Sequence, residues 1–150
     1  MALHHFHNRR CLLVLDNLEH LLHKSEEVRL AISALLQRTQ ALSVLATSQS
    51  PLGITGEQVF PIRPLQTPHL ARLPAPAELE KNPAVRLFVR CASALKPGFE
   101  LNDGNALAVA SICAHLDGLP LAIELAAARI RLFSPDALLR RLVSDDRQRL

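Results

Sequence analysis

CLLVLDNLEH, residues 11–20, runs five apolar or near-apolar side chains straight into one acid, Asp16. A continuous apolar run this short reads as a strand covered on both faces, the habit of parallel sheets. An unpaired carboxylate is costly to bury, so Asp16 belongs at the rim, just past the strand's carboxyl end. Open α/β sheets bind their ligands at that end. The stretch is therefore read as the leading strand of an α/β unit.

The next residues extend the pattern. Val28, Ile32, Leu35 and Leu36 recur at helical spacing, while Glu26, Glu27, Arg29, Gln37 and Arg38 take the other side. Ser25 is placed to cap that helix. ALSVLATS, 41–48, is a second apolar run and ends in two hydroxyls, Thr47 and Ser48. GEQVFPI, 56–62, is expected as a short third strand after a turn. Strand, helix, strand with short connections is a βαβ unit with a right-handed crossover.

Between residues 61 and 83 the composition changes. Pro61, Pro64, Pro68, Pro74, Pro76 and Pro83 fall here, six of the ten prolines. Proline fixes φ and removes backbone donors, so 63–81 is read as a connector. Beyond it the pattern is helical. Val85, Phe88, Val89 and Ala92 make one face of a helix opened by Pro83. KPGF, 96–99, breaks it. Asn102 or Asp103 is the expected cap of a helix burying Leu107, Val109, Ala110, Ile112 and Cys113. DGLP, 117–120, is a turn, and LAIELAAARIRLF, 121–133, is a helix apolar nearly all round and so expected inside. Ser134 and Pro135 open a last helix.

The bulk numbers narrow the class. The 150 residues are 49% hydrophobic and 21% charged, a globular composition in which Trp and Tyr are absent. The net charge of +3 is too small to imply nucleic acid. No apolar run approaches the roughly 20 residues that span a bilayer. MALHHFHNRR lacks the apolar core of a secretory signal, and Cys11, Cys91 and Cys113 form no paired motif, so a reducing cytoplasm is expected. His4, His5, His7, His20 and His23 complete no recognisable coordination pattern and are read as polar surface. Asp145 and Asp146 are adjacent and read as solvated charges.

Asp16 beside Thr47 and Ser48 suits a hydrated Mg²⁺ on a nucleotide phosphate; the plainer alternative is that Asp16 caps the following helix. Four blocks bear on the choice: LLVLDNLEHLL, VLATSQSPLGITGE, NPAVRLF and ICAHLDGLPLAIELAAARI. In this order, over residues 10–143, they resemble the nucleotide-binding region of NB-ARC/STAND-type signalling ATPases. The likeness is nearest to the ATPases joined to bacterial transcriptional regulators with LuxR-type or winged DNA-binding ends. The resemblance implies that Asp16 is the Walker B acid that orders Mg²⁺, with Asn17 beside it at the catalytic position. It implies that Thr47, Ser48 and Gln49 occupy the position that senses the terminal phosphate. It also implies that Gly118, Leu119 and Pro120, in the Gly-Leu-Pro-Leu turn, lie by the adenine, with Pro120 against the base. ATP or ADP and Mg²⁺ are the implied cofactors.

Three departures qualify the likeness. A phosphate loop needs G-x-x-x-x-G-K-[ST], and none of Gly53, Gly56, Gly98, Gly104 and Gly118 leads into a lysine. The family places that loop ahead of Asp16, so the chain is read as a truncated piece of a longer ATPase. Asn17 stands where many of the wider class carry a second acid, and an amide is no general base. Gln49 stands where arginine is usual, which loses a bidentate phosphate grip.

The expected architecture is thus an α/β partial P-loop NTPase, a short parallel sheet with flanking helices over 1–62. The connector 63–81 and an all-α helical bundle subdomain over 82–150 follow. The expected function is a nucleotide-binding switch module of a signalling ATPase or transcriptional regulator, without ATP hydrolysis of its own. Expected partners are other domains or chains of the same signalling system, and a second copy through the open sheet edge. No membrane partner is expected. Two alternatives stand beside this. The helical part is an interaction module that binds no nucleotide, or the helix–glycine turn–helix around Gly118 reads DNA. Against the latter, residues 121–133 offer Glu124, Arg129 and Arg131 in an apolar run, and a solvated face is the plainer account of Arg140, Arg141, Arg147 and Arg149, so direct DNA contact is not expected.

Overall fold

A computed structural model describes the backbone of residues 10–22, 25–39 and 41–147, with side chains through Ser144. The chain divides into two compact units, Met1–Pro61 and Ile62–Leu150.

In the first unit β1 (Cys11–Leu15) and β2 (Leu42–Ala46) pair in parallel, Cys11 opposite Leu42 and Leu15 opposite Ala46. α1 (Glu19–Leu22) and α2 (Glu27–Arg38) make the crossover. Ser25 Oγ accepts the Glu27 N–H at 3.0 Å, which satisfies one free donor at the start of α2. Leu18, Leu22, Ile32 and Leu52 form a small core, with Leu15, Val28, Leu36, Ala46 and Ile54 packed against it.

Two expectations for this unit are corrected. Among the described residues the sheet has two strands, and 56–62 is not a strand. The reason is local. Gly53 and Gly56 take φ of 71° and 85°, and the Glu57 carboxylate accepts the N–H groups of Leu52 and Gly53, both at 2.8 Å. This closes the chain on itself, and Pro61 and Pro64 then withhold donors from any ladder. Nor is the sheet covered on both faces. Cys11, Leu13 and Leu15 turn to the core side, while Leu12, Val14 and Leu45 are 62%, 59% and 56% exposed. The assignment of a P-loop NTPase fold therefore rests on the sequence blocks; the structure itself gives a parallel pair with helical crossover.

The second unit is helical: α3 (Pro76–Leu79), α4 (Pro83–Leu95), α5 (Ala106–His115), α6 (Pro120–Ala128) and α7 (Pro135–Arg147), with 3₁₀ turns at Leu70–Arg72 and Arg129–Arg131. Asn82 caps α4, its Oδ1 accepting from Ala84 and Val85 at 3.1 and 3.3 Å, and Pro83 takes the first helical position. Val85, Phe88, Val89 and Ala92 are buried, as their spacing implies. Ser134 Oγ accepts from Ala137 at the start of α7. The proline-rich stretch is part of this body: Leu79 is 1% exposed, and Leu65 and Leu73 pack on the same core. The start of α5 differs from expectation, because Asn102 and Asn105 bond each other's segment while Leu107 is 60% exposed. α6 is corrected too. Ile123, Ala126 and Ala127 face inward, but Leu121 and Leu125 are 68% and 61% exposed.

The junction of α5 and α6 fixes this core. Asp117 and Gly118 are both left-handed, at φ 51° and 68°, and the Gly118 N–H reaches back to Cys113 O at 3.2 Å. Gly118 O accepts the Leu65 N–H at 2.9 Å. A Cβ on Gly118 would lie 2.0 Å from Leu65 O. Backbone against backbone has no rotamer to yield, so only glycine fits. Gly118→Ala is expected to cost about 3 kcal/mol in urea unfolding, from strain plus the lost bond. Gly118→Asn, which tolerates the φ, is expected to do no better, because the clash remains. Burial also pushes the Cys113 thiol up to about 12. The thiolate is the nucleophile, so iodoacetamide at pH 8 is expected to spare Cys113 in the folded chain and modify it in urea, read by mass spectrometry.

Candidate functional site

Asp16 and Thr47 directly follow the last registered pair, Leu15 and Ala46. The backbone ladder continues past the strands. Thr47 N–H donates to Leu15 O at 2.9 Å, and Leu18 N–H donates to Thr47 O at 3.0 Å. Asp16 and Asn17 are bracketed by these bonds, and both are exposed. Asn17 holds φ at 55°, a left-handed turn that asparagine tolerates better than most residues.

One hydroxyl joins the two strand ends. Asn17 N–H donates to Thr47 Oγ1 at 3.0 Å, and that hydroxyl donates to Asp16 Oδ1. Linked donors and acceptors polarise one another and hold the carboxylate in one orientation. Asp16 Oδ2 has no protein partner among the described residues. Ser48 turns to local work, its Oγ accepting the Ser50 N–H at 3.3 Å. The Gln49 side chain is exposed and makes no hydrogen bond among the described residues. Of the sequence-selected group in this unit, Asp16, Asn17 and Thr47 thus meet directly; Ser48 and Gln49 adjoin them in the chain only.

Gly118, Leu119 and Pro120 lie together in the second unit. Gly118 is buried against Leu65, Leu119 is 50% exposed, and Pro120 is the exposed first residue of α6. The requirement for glycine here is thus a packing requirement.

A magnesium ion needs six oxygens and commonly takes one or two protein carboxylates, water and phosphate. Asp16 supplies one free carboxylate oxygen at a solvent-facing strand end, which fits a hydrated ion. Among the described residues no three His, Cys, Asp or Glu side chains converge on a metal position. His4, His5, His7 and His23 lie outside the described residues, as do Arg149 and the side chains of Asp145, Asp146 and Arg147. The chain's glycines form no phosphate loop, so phosphate ligands beyond the ion are not supplied by that motif. An open hollow of about 580 Å³ is lined by Arg10, Cys11, Leu12, Ala41, Leu42 and Ser43. It lies at the amino ends of the strands, roughly 15 Å from Asp16 by strand length.

Two groups escape pattern reading. Glu19 is 6% exposed and its Oε2 has no hydrogen-bond partner among the described residues; Arg29 Nε is likewise buried and without a partner among them. The available signal for Glu19 is its place three residues after Asp16, in the first turn of α1.

No protein-family model matches the chain, and no solved structure matches it. Among curated proteins, it is 43% identical over 128 residues to a Mycobacterium tuberculosis protein named "Putative HTH-type transcriptional regulator". A Mycobacterium bovis protein of the same name matches equally. These alignments cover 85% of this chain and 13% of the relatives, so the chain spans about an eighth of their length. An uncharacterized M. tuberculosis protein is 39% identical over 141 residues, 94% of this chain and 31% of that protein.

Thr47→Val keeps the shape and removes the hydroxyl that both accepts from Asn17 and donates to Asp16. Because water reaches both partners, the expected loss is about 1 kcal/mol in urea unfolding. Thr47→Ser is expected to restore it; a valine variant as stable as the parent would show that the hydroxyl holds nothing.

Proposed function

We propose that this chain is a segment of a transcriptional regulator and serves there as its ligand-responsive part. The ligand is a Mg²⁺-bound adenine nucleotide taken at the carboxyl ends of β1 and β2. The regulator half is supported by the names of the mycobacterial relatives. The ligand half rests on one observation: Asp16 and Thr47 meet through a shared hydroxyl at the end of a parallel pair, leaving a carboxylate oxygen free. In this reading Asp16 holds the ion, which offsets phosphate charge, and Thr47 holds Asp16. Asn17 contributes its backbone N–H to that hydroxyl and no base. With no phosphate loop in the chain, ATP is bound without being hydrolysed, and the remaining phosphate ligands come from other domains or chains of the regulator. The setting is cytoplasmic, in keeping with three free cysteines. No helix among the described residues is long and apolar enough to cross a membrane.

Direct DNA contact by α5, the Gly118 turn and α6 is the second reading, favoured by the relatives' names. A recognition helix must offer donors and acceptors to base edges. The outward residues of α6 are Pro120, Leu121, Glu124, Leu125 and Ala128, four apolar and one acidic, and the exposed Arg129 and Arg131 come only in the 3₁₀ turn at its far end. We therefore assign DNA reading to the parts of such a regulator that this chain does not span.

Calorimetry with MgADP on the 150-residue chain is expected to give weak binding, Kd on the order of 100 µM or above. Asp16→Ala is expected to remove its magnesium dependence. No heat up to millimolar MgADP would sink the proposal. Salt-dependent binding of duplex DNA by the same chain, read by fluorescence anisotropy, would put the second reading in its place.

A further inference from the structure

The outer side of α6 carries a seam that the fold does not use. Ile123, Ala126, Ala127 and Ile130 point inward and are buried. On the opposite side Leu121, Leu125, Ala128 and Leu132 recur at intervals of four, three and four residues, and all four are exposed, Leu132 at 78%. That interval is the seam of a two-stranded coiled coil. The helical course continues past Ala128 through the 3₁₀ turn, because Ile130 stays on the inner face and Phe133 N–H still donates to Arg129 O at 3.0 Å.

Charge decides what covers the seam. Glu124 and Arg131 are seven residues apart, so they lie on one flank of the seam, an acid toward its start and a base toward its end. Both are exposed, and neither has an ion-pair partner among the described residues. We propose that this face docks a second copy of the chain, with the two α6 helices antiparallel about a two-fold axis. Antiparallel pairing sets equivalent flanks side by side with their directions reversed. Glu124 of each copy then meets Arg131 of the other, and both pairs form at once, as an isologous interface requires. Leu125 and Ala128 of the two copies interleave near the axis, with the small alanine giving the leucine room. Arg129, on the other flank, faces Ala122 and meets no like charge. Antiparallel helices also align their dipoles favourably.

The seam is short. A helix of 13 residues is about 20 Å long, and one such pair falls below the ~1,000 Å² expected of a stable interface. The dimer is therefore weak and concentration-dependent.

The test is sedimentation equilibrium of the 150-residue chain, 16.5 kDa as a monomer, from about 10 µM to about 1 mM. The parent is expected to move from monomer toward dimer across that range. Glu124→Arg places two like-charge contacts in the interface and is expected to weaken the dimer at least about tenfold. Adding Arg131→Glu is expected to restore it to within about threefold. Leu125→Lys is expected to leave a monomer throughout. All four positions are exposed, and an unchanged circular dichroism spectrum confirms that folding is intact. A parent that stays monomeric overturns the proposal. So does a dimer indifferent to Glu124→Arg and Leu125→Lys, the behaviour expected of pairing through the sheet edge. Rescue of Glu124→Arg by Arg129→Glu in place of Arg131→Glu overturns the antiparallel geometry.

Discussion

The parallel register of β1 and β2 is the constraint on which the first unit depends. Five pairs, Cys11 with Leu42 through Leu15 with Ala46, set the two strand ends level. Only then do Asp16 and Thr47 emerge side by side and share a hydroxyl. A slip of one residue in either strand would put Thr47 out of reach of Asp16 and turn the inward side chains of the strand that moved away from the core. The site and the core are thus held by the same alignment. This also explains how a four-residue helix such as α1 can follow directly: Leu18 is tied to Thr47 O and buried at 3%, so the turn at Asn17 is pinned on both sides.

Much of this was legible in the residues. Apolar runs ending in Asp16 and in Thr47-Ser48 mark two strands, and the 28-32-35-36 spacing marks the helix between them. The phases of α4 and α7 follow from Pro83, Ser134 and Pro135 together with apolar periodicity. What failed did so for definite reasons. GEQVFPI has strand composition, but composition does not reveal that Glu57 will bond the backbone at Leu52 and Gly53 and close a turn ahead of it. An unbroken apolar strand looks the same whether one face or two are covered, so the exposure of Leu12 and Val14 was not readable. A proline-rich segment looks like a connector, yet proline forbids only certain hydrogen bonds and not burial, and Leu79 is part of the core. At the candidate site, the meeting of Asp16 with Thr47 followed from strand order. The burial of Glu19 did not, since it depends on the angle at which α1 leaves the strand.

Gly118 shows how one residue answers two descriptions. The Gly-Leu-Pro-Leu block carries the most specific part of the resemblance read from the sequence, and that resemblance implies nucleotide contact. Here the same glycine is required by Leu65 O, which occupies the space a side chain would need. The segment at 65–67 is thereby drawn onto the helical body, and the second unit gains a strap across the α5–α6 turn. A packing role of this kind is sufficient to demand glycine, so the block's presence alone says little about ligand contact by Leu119 and Pro120.

Two of the exposed apolar patches among the described residues differ in how far they specify a partner. Burying one leucine side chain is worth about 1.5–3 kcal/mol, so both Leu12–Val14–Leu45 and Leu121–Leu125–Leu132 favour being covered. The sheet face names no occupant: its neighbour across the register is Ser43, and no charge on it selects orientation or partner. Any apolar surface of suitable shape would serve. The α6 face is more selective, because an acid and a base on one flank repeat only when the partner presents the same flank reversed. Hydrophobic area supplies affinity without direction, whereas paired charges set register and exclude wrong partners. That difference is why the helix face specifies a second copy while the sheet face specifies nothing beyond apolar cover.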